Sequence, residues 1–209
     1  MSIQAVIFDL GGVVFDSPLP CILAYERDAG LPAGTIGKLL IGGGGDGPWP
    51  QLERGDLSMD AFDKAFAAAG RELSVELSGR DLMQRIGNGV QLRPSMLAAI
   101  QELRQRGFKT AALTNNWPGD DGFTQGIEVI RPLFDVFIES WKVRLRKPDE
   151  RIYQLALNKL DVSAQQAVFL DDLGHNLKSA RAMGITTIKV ADPAVALQEL
   201  WSHLAPGVV

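Results

Sequence analysis

The chain has 209 residues, and 21 Lys+Arg against 25 Asp+Glu leave a formal net charge of -4. That length suits one domain, or one domain carrying a large insertion, while 46% hydrophobic and 22% charged residues exclude a disordered or fibrous chain. Mild acidity argues against nucleic acid or an anionic membrane as partner, no apolar run nears the roughly 20 residues of a membrane span, and a single cysteine, Cys21, cannot make an internal disulfide, so a soluble cytoplasmic protein, monomer or homodimer, is expected.

In chain order, residues 3–9 form a short apolar run, partly β-branched, that ends in Asp9 before Gly11-Gly12. This predicts a buried strand. Residues 16–90 then change character. They are helical in pattern, most clearly at 59–69 with Ser58 as N-cap, and hold no strand-like run. They are therefore predicted as a helical insertion, or cap, hinged at 10–18 and 87–94. Inside it, Gly42-Gly43-Gly44-Gly45 lacks the preceding strand and the following Lys-Ser or Lys-Thr of a phosphate-binding loop, and reads as a flexible loop or a lid segment. From residue 91 strands and amphipathic helices alternate: helix 94–106, strand 109–114, strand 134–139, helix 149–160, strand 167–172, helix 173–183, strand 186–190 and helix 193–204. Pro94 suits a first helical turn, and Gly107 and Gly184 suit the residues just past helix ends. Alternation of this kind implies right-handed crossovers and a parallel sheet, here of five strands, covered on both faces. The expected fold is α/β, with a core of 1–15 plus 91–209 and a cap of 16–90.

Three of these strands end in polar groups: Asp9, Thr114-Asn115 and Asp171-Asp172. In an open parallel sheet such ends converge on one crevice, and Lys147, in Arg146-Lys147-Pro148-Asp149, completes a set with constrained chemistry. A carboxylate can attack phosphorus and split one hard hydrolysis into two easier steps. Nucleophile and substrate are both anions, so a divalent cation is needed between them. Mg²⁺ takes hard oxygen ligands, commonly one or two carboxylates with substrate phosphate and water. Asp9 and the Asp171-Asp172 pair can supply those carboxylates, while Lys147 and hydroxyl or amide donors stabilise the phosphoryl oxygens.

The order of these motifs resembles that of the haloacid dehalogenase-like hydrolases over the whole chain. Asp9 stands in VIFDLGGVV, Thr114 in ALTNNW, Lys147 in RKPDERIY and Asp171-Asp172 in VFLDDLGHN, with a helical cap between the first two. LTNNW, FDVFIES, KPDERIYQ and FLDDLGHNLKSARAMGITTI are similar to the family's branch of phosphatase-type domains found in front of epoxide hydrolase and acyl-CoA dehydrogenase units. The resemblance implies a Rossmann-like core with Asp9 as nucleophile and Mg²⁺ ligand. It implies Thr114 and the Asn115 backbone around the transferring phosphoryl group, with Lys147 neutralising both that group and Asp9. Asp172 would be the direct metal ligand with Asp171 behind it, the reverse assignment staying open, and the backbone carbonyl of Gly11 would be a further ligand. The implied reaction is Mg²⁺-dependent hydrolysis of a small phosphorylated metabolite.

The sequence departs from the family at Gly11, where many of its phosphatases carry a second aspartate. That residue protonates the leaving group and then activates water, help worth about 10²–10⁴-fold. Two alternatives follow: a 2-haloacid dehalogenase in which Asp9 attacks carbon without a metal, or a domain that binds phosphorylated ligands or partner proteins with little turnover. The adjacent acids Asp171-Asp172 favour the phosphatase. Asp16 is one candidate for the missing acid, against a surface turn beside Ser17-Pro18. Among lesser candidates, His175 is expected near solvent, and Asn176 either braces the metal loop or simply opens a helix. Trp117 and Trp141 are expected to pack. Arg144 and Arg146 could widen a positive crevice, and Trp49, Glu53 and Arg54 could meet substrate or join cap to core.

Overall fold

The computed structural model describes residues 2–41, 44–119 and 122–204. Strand β1 (Ala5–Phe8) is followed by helices α1 (Leu19–Asp28), α2 (Thr35–Ile41), α3 (Pro48–Glu53), α4 (Met59–Glu72), α5 (Gly79–Gly89) and α6 (Pro94–Gln105). Then come β2 (Lys109–Thr114), α7 (Gly122–Ile130), β3 (Val136–Glu139), α8 (Ser140–Val143), α9 (Glu150–Leu160), β4 (Ala167–Asp171), α10 (Gly174–Ala182), β5 (Thr186–Lys189) and α11 (Pro193–Leu204). The strands form one parallel sheet in the order β3-β2-β1-β4-β5.

The central strand explains why its sequence is apolar throughout rather than alternating. Val6 and Phe8 join one core with Met96, Ile100 and Leu103, whereas Ala5 and Ile7 join another with Ile152, Tyr153, Ala156 and Leu157. A parallel strand covered on both faces has no solvent side to make polar. Strand order grows from β1 to β2 to β3 on one side, and β4 then crosses to the other side of β1. The order reverses between β1 and β4, so the loops leaving them diverge and open a crevice at their carboxyl ends. Phe8 is in register with Ala112 and Leu170, so Asp9, the end of β2 and Asp171 emerge side by side.

Among the described residues, 16–90 carry helices α1 to α5 and hold no named strand. Two details differ from expectation. Residues 10–14, expected as part of a hinge, form a buried π-type turn, and α5 runs on through Gly89. The two passages between sheet and insert are joined: Phe15 pairs with Leu92 as an antiparallel bridge, Asp16 N–H donates to Gln91 O at 2.9 Å, and Arg93 N–H donates to Val14 O at 2.8 Å. Helix α7 was not legible because Gly122 and Gly126 lower its propensity. Burial of Phe123, Ile127 and Ile130 offsets that, and Gly126 lies where a Cβ would meet the Phe15 ring at 2.8 Å. Gly42 and Gly43 of the glycine run lie outside the described residues, while Gly44–Asp46 is a 3₁₀ turn.

The insert meets the sheet side through α3 and the residues after it. Arg146 Nε and Nη2 donate to Glu53 Oε2 at 2.7 and 2.6 Å. Gly55, at φ +69°, sits so close to Trp141 that a Cβ would lie 2.7 Å from its carbonyl oxygen, and the ring centroids of Trp49 and Trp117 are 5.7 Å apart. Burial raises the Glu53 carboxyl above its ordinary pKa even though Arg146 opposes the shift. Glu53→Ala, which strands Arg146, should cost about 3 kcal/mol in urea unfolding, and Glu53→Leu with Arg146→Met should cost clearly less. Equal losses in the two variants would show that the ion pair itself does not set the docking energy.

Candidate active site

The site begins where β1 stops. Asp9 caps the turn that follows it, its Oδ1 accepting Leu10 N–H at 2.7 Å. Within that turn Gly11 has ordinary angles (φ -64°, ψ 127°) and Gly12 is left-handed (φ 76°). Only glycine fits at Gly12, because a Cβ there would run into Asp172 Oδ2 as well as strain the backbone. A Cβ at Gly11 would meet nothing within 4 Å.

Lys147 reaches this turn from the loop between α8 and α9. Its fully buried ammonium donates to Asp9 Oδ1 at 2.7 Å and to Asp171 Oδ2 at 2.8 Å. The loop is held by the Asn115 side chain, whose Oδ1 accepts Lys147 N–H at 2.9 Å and whose Nδ2 donates to Lys147 O at 3.1 Å. The amide is thereby spent on positioning, leaving the Asn115 backbone for any phosphoryl contact. Thr114, buried at the end of β2, has only a marginal 3.5 Å contact from its hydroxyl to Asn115 O. Asn116 is committed elsewhere, with Nδ2 donating to Glu139 at 3.1 Å.

The two adjacent acids have different surroundings. Asp171 Oδ1 accepts Leu173 N–H at 2.7 Å, and Asn176 Nδ2 donates to both of its oxygens at 3.1 and 3.0 Å. Together with Lys147 these bonds engage both oxygens of Asp171. Asn176 is itself held, its carbonyl oxygen accepting the buried Tyr153 hydroxyl at 3.0 Å. Asp172 is half-buried and, among the described residues, accepts no hydrogen bond from another side chain; the same holds for Asp9 Oδ2. Asp9, Asp171 and Asp172 each offer an oxygen within 4.8 Å of the others.

Electrostatics explain what such a cluster requires. Three carboxylates share one hydrogen-bonded ammonium, which leaves a formal excess of two negative charges in a largely buried crevice, offset only from a distance by the Arg93 guanidinium that Asp16 already pairs. Burial, with Asp171 and Asp172 adding to it and Lys147 opposing, pushes the Asp9 carboxyl well above its ordinary pKa. Burial and then the Asp171 charge push Asp172 up to about 6. Burial alone would lower Lys147, but the charges of Asp171 and Asp9 outweigh it and hold its pKa above the ordinary value. Hard oxygen donors, a charge deficit of two and a buried Asn176 Oδ1 with no partner among the described residues fit a hydrated Mg²⁺.

Other candidates fall outside this cluster. Asp16 is half-exposed and accepts Arg93 Nε at 3.2 Å, so it occupies the surface turn. Arg146 is spent on Glu53, Arg54 on Asp56 and Gly45 O, and Arg144 is exposed near Asp56 at 3.9 Å. His175 is exposed in the first turn of α10, while Asn176 takes the bracing position. Trp117 packs between Trp49 and Phe123. Two residues that shape the site are weakly marked in the sequence: the Gly-Gly pair signals Gly12, and nothing local distinguishes Tyr153 from an ordinary buried helix residue.

Comparison with known proteins places this geometry. Residues 3–184 match the family model of haloacid dehalogenase-like hydrolases. Over 202 residues the chain is 39% identical to acyl-CoA dehydrogenase family member 10 of Mus musculus, covering 95% of this chain and 19% of that protein. It is 33% identical over 217 residues to bifunctional epoxide hydrolase 2 of Sus scrofa, covering 96% and 38%, and so spans well under half of either relative. The sesquiterpene phosphatase astK of Aspergillus oryzae is 27% identical over 200 residues, with 94% of each chain covered. A solved HAD-family enzyme of Bacteroides thetaiotaomicron, bt-2542, in complex with magnesium and inorganic phosphate, superposes with a TM-score of 0.69 at 19% identity, covering 98% of this chain and 100% of that one.

Asp172 supplies a pH test. Its carboxyl binds a proton more tightly folded, at about 6, than in an unfolded chain near 3.9. Its contribution is therefore complete below the unfolded value and is lost as pH rises through 6. Without metal, the melting temperature should rise as pH falls from 7 to 5. Asp172→Asn should flatten that rise and raise the melting temperature at pH 7 by about 2–4 °C, the shift that ~1 kcal/mol produces at this size. A metal-free Asp172→Asn that melts lower at pH 7 would contradict this assignment.

Proposed function

Because the chain belongs to the haloacid dehalogenase-like hydrolases, we propose that it is a Mg²⁺-dependent phosphatase of small phosphomonoesters acting through an aspartyl-phosphate on Asp9. The observation that carries this reading is the charge of the site: Lys147 compensates one of three clustered carboxylates, and Asp172 is left free. Attack on carbon needs no metal and so leaves the excess charge of the clustered carboxylates without a role for a cation. The phosphatase named among full-length relatives supports the same reading.

Asp9, Asp172 and the Gly11 carbonyl would hold the ion, and Asp171 would serve behind them by fixing Lys147. When bound, Mg²⁺ neutralises charge on the phosphate and on Asp9 so that two anions can meet. Asp9 Oδ1 is held by Leu10 N–H and Lys147, which leaves Oδ2 to attack phosphorus. As the Oδ2–P bond forms, the bond to the leaving oxygen breaks and that oxygen keeps the electron pair. The Lys147 ammonium, the Thr114 hydroxyl and the Asn115 N–H stabilise the phosphoryl oxygens. Water then attacks the same phosphorus, releasing phosphate and restoring Asp9. Gly11 has no proton to give, so the leaving oxygen takes its proton from a water held within the site, which suits leaving groups that are stable as anions.

The helical insert, residues 16–90, would act as the cap over the core formed by 1–15 and 91–209. Docked through Glu53–Arg146 and Trp49–Trp117, it would exclude bulk water and restrict the substrate to a small phosphorylated metabolite. No described helix is long and apolar enough to cross a membrane.

The experiment is p-nitrophenyl phosphate hydrolysis with and without Mg²⁺. Turnover should require the metal and fall at least ~10³-fold in Asp9→Asn, the loss expected when a nucleophile is removed. Metal-independent halide release from 2-chloropropionate, or ligand-induced stabilisation without turnover, would sink the phosphatase reading. The open space at Gly11 yields a second prediction. Gly11→Asp should fold and raise kcat for alkyl phosphates by ~10²-fold, the low end of general acid–base help, with a smaller gain for p-nitrophenyl phosphate. Equal gains on both would place the missing proton transfer outside the leaving-group step.

A further inference from the structure

The turn carrying Asp9, Gly11 and Gly12 is held from outside by one side chain that takes no part in the chemistry described above. Arg93 stands at the N-terminus of α6, at the end of the extended passage that returns from the insert. Its Nη1 donates to Gly12 O at 2.8 Å and to Val13 O at 3.3 Å, and its Nε donates to Asp16 Oδ1 at 3.2 Å. Its own N–H donates to Val14 O at 2.8 Å, and Gly12 N–H donates to Asp16 O at 3.2 Å. One guanidinium thus satisfies consecutive carbonyls of a turn whose neighbouring carbonyl, that of Gly11, would face the cation.

Those carbonyls need such a donor. The turn closes through Phe15 N–H to Leu10 O at 2.8 Å and Gly12 N–H to Asp16 O at 3.2 Å, neither of which engages Gly12 O or Val13 O. Gly12 is also the residue pressed against Asp172, so the angle of the Gly11–Gly12 peptide sets the distance between two groups of the metal site. A planar fork with several fixed donors can bridge two carbonyls and a carboxylate together; a lysine ammonium on its flexible stem cannot reproduce that geometry.

We propose that Arg93 is a positioning residue for the metal site: its bonds to Gly12 O and Val13 O hold the nucleophile turn so that the Gly11 carbonyl and Asp172 face one cation. This rests on the phosphatase reading. The same bonds tie the turn to the passage by which the chain leaves the insert, so a displacement of the insert is transmitted to the metal ligands. The Asp16 pair fastens the guanidinium and is secondary to it.

The test measures Mg²⁺ affinity by calorimetry on wild type, Arg93→Met, Arg93→Lys and Asp16→Asn, alongside steady-state kinetics with p-nitrophenyl phosphate. Arg93→Met should bind Mg²⁺ about tenfold more weakly, as loss of a support behind a metal ligand typically does. Its KM for p-nitrophenyl phosphate at saturating Mg²⁺ should move less than twofold, because Thr114, Asn115 and Lys147 are untouched. Arg93→Lys should recover part of the loss and serves as the folded comparison if the methionine variant melts too low. Asp16→Asn should stay within about twofold of wild type, and a full tenfold loss there would overturn the assignment to the carbonyl bonds. Unchanged Mg²⁺ affinity in a folded Arg93 variant, beside a wild type that binds the ion, would overturn this inference alone. A wild type that neither binds Mg²⁺ nor turns over would remove the phosphatase reading, and this inference with it.

Discussion

Lys147 is fully buried, and an ammonium can be held in such a place only if anions surround it at hydrogen-bond distance. Asp9 and Asp171 supply them at 2.7 and 2.8 Å. Much of the site follows from that constraint. Asp9 is fixed through one oxygen and free at the other. Asp171, also held by Asn176 and Leu173 N–H, is committed to structure, and Asp172 is left as the carboxylate that no cation reaches at hydrogen-bond distance. Two adjacent acids of identical chemistry therefore differ because one is saturated with donors and its neighbour is not.

A second constraint acts on the backbone. The chain must leave β1 sharply enough to clear Asp172, and the left-handed Gly12 makes that possible. The insert begins immediately after this turn and returns immediately before α6, so its two connections are bonded to each other and to the turn. Its other attachment, Glu53 to Arg146, lands on the residue before Lys147. Insert and site thus share covalent neighbours at both ends, one beside the nucleophile and one beside the lysine.

Most of the core was legible because its signals are local. Apolar runs with β-branched residues mark strands buried on both faces, and Pro94, Gly107 and Gly184 mark helix ends. The misses have physical causes. Helix α7 contains two glycines and is held by packing rather than propensity. The first part of the hinge expected at 10–18, residues 10–14, is a buried turn because most of its residues face the core, which its glycine-rich composition does not reveal. Arg146 looked like part of a positive crevice and is instead paired with Glu53, a residue 93 positions away.

The available chemistry is legible from residue order alone: acids at the ends of two strands, a polar end on a third, a lysine on a loop and glycine where a family acid often stands. Residue type and strand periodicity suffice for that, since both are written locally in the chain. How those groups divide the work is a property of the folded chain. Which of Asp171 and Asp172 is saturated, which Asp9 oxygen is free, whether Asp16 reaches the site and what holds the nucleophile turn all depend on distances between residues remote in sequence. Those distances follow from the reversal of strand order between β1 and β4 and from the docking of the insert, which no short stretch of the chain encodes.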